Sequence, residues 1–162
     1  MATIRTATSE DFGIIRQIAE QTWPITYGKI LSAEQIRYML DLFYSEEALA
    51  KAMDGGQKFI LLIDDAPVGF AGYQHYDGMT KLHKLYILPE MQGKGYGRLL
   101  MNEVESAAKV YGSKKLKLNV NRFNNAIEFY RAAGFEVESE EDIDIGNGYL
   151  MEDYVMMRRL QP

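Results

Sequence analysis

No cysteine occurs in the 162 residues. That excludes disulfides, thiolate zinc sites and any cysteine acyl-enzyme, and it leaves the redox compartment undetermined. Histidine is nearly as scarce, with only His75 and His83, and no H-E-x-x-H string occurs, so no metal site is expected. Nowhere do about 18 apolar residues run together, so no membrane span is expected. The start, Met1-Ala2-Thr3-Ile4-Arg5, lacks the apolar stretch of a secretory signal, which makes a cytoplasmic protein the default expectation. Lys and Arg number 18 against 23 Asp and Glu, a net charge of −5. A nucleic-acid partner is therefore not expected, since its binding is carried largely by cationic residues. The same balance suits a cationic substrate.

What is present reads as one domain over residues 1–162, long enough for a sizeable core without staples. No repeat, linker or low-complexity segment appears. Thr3–Arg5 is short and β-like. Ser9-Glu10-Asp11 caps a helix through about Thr22. Ser32, with Gln35 three residues later, has the spacing of a capping box for a second helix to about Leu42, and Ser45 caps a third that ends near Gly55-Gly56. Strands follow at Lys58–Ile63, Val68–Tyr76 and Thr80–Leu88, separated by the turns Asp64-Asp65-Ala66-Pro67 and Asp77-Gly78. Leu100, Val104, Ala107, Ala108 and Tyr111 form a helical stripe ended by Gly112. Lys115–Val120 is a strand, Ala126–Ala133 a helix capped by Gly134, and two strands at Phe135–Ile143 and Tyr149–Arg158 complete the order. A mixed sheet with helices on both faces follows from that order.

The most informative segment is Gln92-Gly93-Lys94-Gly95-Tyr96-Gly97, between the strand ending Leu85-Tyr86-Ile87-Leu88 and the helix opening at Arg98. Three glycines at alternate positions bare the backbone N–H groups where a strand turns into a helix, an arrangement that suits a phosphate or pyrophosphate. No G-x-x-x-x-G-K-[ST] string occurs, which argues against a P-loop. The spacing is G-x-G-x-G rather than G-x-G-x-x-G, and it lies past the middle of the chain, which argues against a dinucleotide fingerprint.

The pattern [RQ]-x-x-G-x-[GA], on Gln92, Gly95 and Gly97, resembles the pyrophosphate loop of the GNAT superfamily of acyl-CoA-dependent N-acetyltransferases. A second block, Asn124-x-Ala126 through Phe129-Tyr130 to Gly134-Phe135, resembles the family segment N-x-A-x-x-[FL]-Y-x-x-x-G-F. Resemblance is strongest over 68–135 and weak over 20–56, where these enzymes build much of their acceptor site. It implies an α/β (α+β) fold with a mixed, mostly antiparallel central sheet of about seven strands and helices on both faces. It further implies acetyl-CoA as co-substrate and direct attack by an acceptor amine.

By the same resemblance, Leu85, Tyr86 and Ile87 lie at a sheet edge opened by a splay from Lys115–Val120, where their backbone pairs with the pantetheine arm as a strand would. A backbone N–H at Tyr86 or Ile87 stabilises the oxyanion. Gln92, Gly93, Lys94, Gly95, Tyr96 and Gly97 cradle the pyrophosphate, and Lys94 and Arg98 add charge. Asn124 hydrogen-bonds the cofactor, with Asn121 and Asn125 close enough to compete. Tyr130 protonates the departing thiolate. For the base, family members that acetylate spermidine and spermine carry a glutamate where this chain has His83, whose imidazole would titrate in the useful range. His75 and a water wire are the alternatives.

Trp23 and Tyr27, with Tyr38, are candidates for an acceptor pocket, since aromatic faces favour cationic amines. The acidic residues Glu136, Glu138, Glu140, Glu141, Asp142 and Asp144 either draw a polycation to the site or form a solvated hairpin face. The expected partner is a small amine, polyamines first, with neither nucleic acid nor membrane. Apolar positions on the last strands are compatible with a homodimer. A protein or peptide acceptor, and a CoA-binding module without catalysis, are the competing readings.

Overall fold

The computed structural model describes residues 1–161. In chain order the elements are β1 (Thr3–Thr6), α1 (Phe12–Tyr27), α2 (Ala33–Tyr44), α3 (Glu46–Asp54), β2 (Lys58–Asp64), β3 (Ala66–Tyr76), β4 (Met79–Ile87), α4 (Tyr96–Tyr111), β5 (Lys115–Asn121), α5 (Ala126–Ala132), β6 (Glu136–Gly146) and β7 (Tyr149–Arg159). The strands form one seven-stranded sheet in the order β1-β2-β3-β4-β5-β7-β6. Every neighbouring pair is antiparallel except β4 and β5, which run parallel. This is the mixed, mostly antiparallel sheet expected from the sequence.

Each face of the sheet carries its own apolar core. On one side Leu100, Met101 and Val104 of α4 and Tyr130 of α5 pack on Leu116, Leu118 and Met156. On the other, Ile15, Leu40, Tyr44 and Leu49 of the first three helices pack on Leu61 and Phe70. The sequence of β5, Lys-Leu-Lys-Leu-Asn-Val-Asn, alternates strictly, and so does its burial: Leu116, Leu118 and Val120 are buried, while Lys117, Asn119 and Asn121 turn to the α1–α2 side.

Local signals explain the helix ends. Thr8 and Asp11 form a reciprocal capping box before α1, and Asp11 also pairs with Arg5 at 2.8 Å. That guanidinium holds the Asp11 carboxyl below its usual range. The Ser32 and Ser45 hydroxyls accept from Gln35 N and Ala48 N at 3.1 Å. The Ser32 box is only half made, because the Gln35 side chain donates to Leu150 O at 3.1 Å instead. α1 also runs past the expected end near Thr22 and through Pro24 to Tyr27. A proline inside a helix removes one ladder bond, but burial of Trp23 and Tyr27 on the core face outweighs that loss.

Two irregularities prepare the site. β3 and β4 pair Gly72 with Lys84 and Tyr73 with Leu82, so His83 is an extra residue on β4, a bulge that bends the strand. Gly72 leaves room on the other side of β3 for the Gln57 and Phe59 side chains, which a Cβ at that position would meet at 2.6 and 3.0 Å. The ladder between β4 and β5 spans only Met79–Leu82 against Lys115–Leu118. Beyond it β4 stays with β3 as far as Ile87, and β5 stays with β7 as far as Asn121. The two strands therefore part.

Candidate active site

The parting of β4 and β5 opens a cavity of about 810 Å³. Residues 83–87 of β4 form one wall, and Leu118 to Asn121 of β5 form the other. The glycine loop and aromatic residues of α1 and α2 line the same space.

At the loop, Gly93 and Gly95 adopt φ of +81° and +82°, a region that favours glycine. A Cβ at either would meet nothing within 4 Å. Their backbone is therefore open on the outside, and the fold makes no steric demand there. Gly97 differs, because a Cβ would press on the Phe129 ring at 3.3 Å. It lets α4 and α5 approach. α4 has no side-chain cap, in contrast to α2 and α3, and its first ladder bond is Leu99 N to Gly95 O. The N–H groups of Tyr96, Gly97 and Arg98 thus have no ladder acceptor, and the helix dipole adds to their attraction for an anion. The Tyr96 hydroxyl donates to Asp64 at the end of β2, and Gln92 Nε2 donates to Ile87 O at 3.1 Å, which ties the loop to the sheet. Lys94 and Arg98 are exposed beside it. The open turns, the uncapped helix and the split sheet together fit an elongated molecule with a pyrophosphate and a strand-like arm.

Gln92, Gly93, Gly95, Tyr96, Gly97 and Arg98 line the cavity, as do Leu85, Tyr86 and Ile87; Lys94 stands outside it. Of the three competing asparagines, Asn121 and Asn124 line it and Asn125 does not. Asn124 Oδ1 also accepts from Ala126 N at 2.9 Å, a side-chain turn that leads into α5 while the residue lines the cavity. Tyr130 is buried and lines the same space, with its ring edge-on to Phe129 at 5.3 Å and to Phe135 at 5.9 Å. Burial pushes its phenol up, so it stays protonated through the physiological range.

Trp23 and Tyr27 form the far wall. The Tyr27 and Tyr86 hydroxyls hydrogen-bond each other at 2.9 Å, and the Trp23 and Tyr27 rings lie 4.8 Å apart. The Trp23 indole N–H is sealed from solvent without an acceptor. Tyr38 is elsewhere: its hydroxyl donates to Ile145 O at 2.6 Å and pins the β6–β7 hairpin to α2.

His83 requires a correction. It lines the cavity on the bulge, and its Nε2 is buried without a partner. Burial, followed by Lys81 and Lys84, lowers its pKa to about 4, so it does not titrate near neutrality as its residue type suggested. His75, by contrast, lies away from the cavity, bonded through Nδ1 to Thr80 Oγ1 at 2.7 Å and stacked on Tyr111 at 4.3 Å.

Lys84 and Asp153 were not singled out from the sequence, yet both line the cavity. Lys84 Nζ donates to Gln57 Oε1 at 3.0 Å and sits over the Tyr44 and Phe59 rings at 5.7 and 5.5 Å. Burial lowers its pKa to about 8. Asp153, 3% exposed, lies opposite Asn121 in register. Burial raises the pKa of its carboxyl. A charged residue at an inward position of β7, between Met151 and Val155, was the available signal.

The acidic run on β6 is largely an exposed, ion-paired edge. Lys117 pairs with Glu138 at 2.7 Å, and Arg122 with Asp142 at 2.6 Å. Glu141 alone of these reaches toward the cavity, through Asn119 at 3.2 Å. The large apolar residues exposed on these last strands are Val137 and Leu150. No group of three or more potential metal ligands occurs among the described residues, and no helix there is long and apolar enough to cross a membrane.

Comparison with known proteins agrees with this architecture. The family described as the acetyltransferase (GNAT) domain matches residues 29–156. A spermidine N(1)-acetyltransferase of Thermoplasma acidophilum is 29% identical over 92% of this chain and 94% of its own length. A peptidyl-lysine N-acetyltransferase of Escherichia coli is 36% identical over 52% of this chain and 53% of its own. Among solved structures, the PaiA N-acetyltransferase of T. acidophilum in complex with coenzyme A superposes with a TM-score of 0.84 at 28% identity, covering 98% of this chain and 99% of that one. The split sheet, the glycine loop at the head of α4 and the family match over most of the chain lead to one conclusion: this protein belongs to the GNAT family of acetyl-CoA-dependent N-acetyltransferases.

Proposed function

We propose that the acceptor is a small cationic primary amine, polyamines first, and that the acetyl group passes to it directly. The observation that carries this reading is the continuity of a single cavity from the glycine loop, through the gap between β4 and β5, to an aromatic chamber that contains a buried carboxylate. The spermidine N(1)-acetyltransferase relative, which aligns over nearly the whole chain, supports the acceptor class.

Acetyl-CoA supplies an activated acetyl thioester. The rest is the work of this chain's own groups. The free N–H groups at the head of α4, with Gly93 and Gly95, hold phosphate oxygens, and Arg98 and Lys94 add charge. The unpaired edge of β4 at Leu85, Tyr86 and Ile87 receives the amide-bearing arm, and a backbone N–H there polarises the carbonyl. Asn121 and Asn124 offer hydrogen bonds from the opposite wall. Tyr130, kept protonated by burial, gives its proton to the leaving sulfur. Trp23 and Tyr27 shape the acceptor chamber. His83 is held neutral by burial and lines the cavity, which makes it the candidate to relay the amine's proton.

A lysine side chain presents the same alkylammonium, and the peptidyl-lysine N-acetyltransferase relative keeps a peptide acceptor as the second reading. The test is calorimetric titration of acetyl-CoA, then thiol release with a panel of spermidine, spermine, monoamines and a lysine peptide. Turnover on a polyamine supports the proposal. Turnover on the peptide alone overturns the small-amine reading.

A further inference from the structure

Asp153 is in an unusual state for a carboxylate. It is 3% exposed, and such residues are almost never fully buried unless paired. No Lys or Arg lies within ion-pair distance of its carboxylate among the described residues. Its hydrogen bond comes from Asn119 Nδ2, long at 3.3 Å and shared with Glu141 at 3.2 Å. Arg122 is near, but it spends its guanidinium on Asp142, Glu152 and the Asp153 backbone carbonyl. Lys81 adds a weak favourable field, and Glu141, opposite in register on β6, opposes it. A charge so placed is costly to bury and calls for a counter-ion.

Its surroundings say which counter-ion. Asp153 lines the cavity together with Trp23, Tyr27 and Tyr86; the Trp23 ring lies 4.8 Å from that of Tyr27 and 5.9 Å from that of Tyr86, and the Asp153 charge reaches the Tyr27 phenol. Aromatic faces attract an alkylammonium, and a carboxylate gives it a strong acceptor. We propose that Asp153 is the anchor for the ammonium group of the acceptor. This rests on the amine-acceptor reading above and narrows it. The three N–H donors of a primary ammonium supply what Asn119 leaves unmade. An amine with a carboxylate on the neighbouring carbon would set that charge beside Asp153 and Glu141, so the site favours alkyl diamines, polyamines or a lysine side chain over free α-amino acids.

The experiment is calorimetric titration of spermidine into the CoA complexes of the wild type and of Asp153→Asn, which keeps shape and removes charge. The expected result is spermidine affinity weakened about tenfold or more with CoA affinity unchanged. The loss should persist at raised salt, because a buried pair is screened far less than the exposed carboxylates of β6. Equal spermidine affinity in both proteins overturns the role of Asp153 and leaves the amine-acceptor reading standing. A wild type that binds CoA but neither spermidine nor a lysine peptide overturns both. If Asp153→Asn fails to bind CoA, Asp153→Ser repeats the comparison, and the same two outcomes decide it.

Discussion

The hydroxyls of Tyr27 on α1 and Tyr86 on β4 meet at 2.9 Å, so each satisfies the other inside an otherwise apolar wall. One residue comes from the segment with the weakest family resemblance and the other from the segment with the strongest, and the bond couples them. Burial raises the pKa of both phenols, which leaves them neutral. Tyr27→Phe or Tyr86→Phe alone strands a buried hydroxyl and should cost about 1–2 kcal/mol of stability. The double variant should cost less than the sum, because it strands nothing. Urea unfolding of the four proteins measures the cycle; strict additivity would remove the coupling.

Gly95 is free of steric constraint inside the fold, so Gly95→Glu should fold. The φ of +82° should cost it about 1–2 kcal/mol. The new carboxylate would stand at the uncapped head of α4, and CoA binding should be lost. Calorimetry together with thermal unfolding separates the two effects. Retained CoA affinity would contradict the loop's assigned role.

Tyr130→Phe removes a protonated phenol from the cavity and keeps the ring packed on Phe129 and Phe135. The turnover number should fall roughly 100-fold, in the range of general-acid contributions, with acetyl-CoA affinity little changed. Steady-state kinetics beside calorimetry checks the split, and unchanged turnover would rule out the acid role.

A free imidazole titrates near 6.5, and His83 near 4. Between those values the unfolded chain holds more protons, so the folded state loses stability as pH falls through that window. His83→Gln cannot titrate and should flatten that part of the profile. Denaturant midpoints of both proteins across the window decide it, and parallel curves would show that His83 is not held neutral.

Lys84 is cationic below about 8 and neutral above, and it faces the chamber assigned to a cation. Lys84→Met keeps the length of the side chain and deletes the charge. Spermidine should bind it several-fold more tightly near neutrality, by the Coulomb repulsion removed. In the wild type, affinity should climb as pH rises through about 8, and in the variant that climb should vanish. An identical pH dependence in both would clear Lys84 of any part in acceptor selection.

Much of this architecture was legible before the fold was known, because local physics and tertiary need agree along most of the chain. Ser45 caps the helix it was expected to cap, Gly112 ends α4 as expected, Gly134 takes the left-handed conformation expected of it, and β5 alternates in burial as it does in sequence. The glycine hexad sits where strand turns to helix, as its bare backbone requires. What was hidden depended on partners distant in sequence. Lys84 acquires its character from Tyr44 on α2, Phe59 on β2 and Gln57 in the connection between α3 and β2. Asp153 shows locally only as a charge at an inward position of β7; the residues it lies between, Asn121 on β5 and Glu141 on β6, come from distant segments. His83 looked like a titrating group because residue type sets only the starting value, and a single-residue bulge decided how deep it lies.

The short ladder between β4 and β5 has a further meaning. The sheet is in effect two panels, β1 to β4 and β5 to β7, joined edge to edge along Met79–Leu82 and Lys115–Leu118. At that seam the Thr80 hydroxyl, fully enclosed, meets Ser113 at 2.7 Å across the joint and His75 at 2.7 Å behind it. Two small polar contacts thus act as a clasp on the paired stretch of the two strands. The slot therefore opens beyond the paired stretch, while the hydroxyl pair that joins the two panels lies outside the cavity altogether.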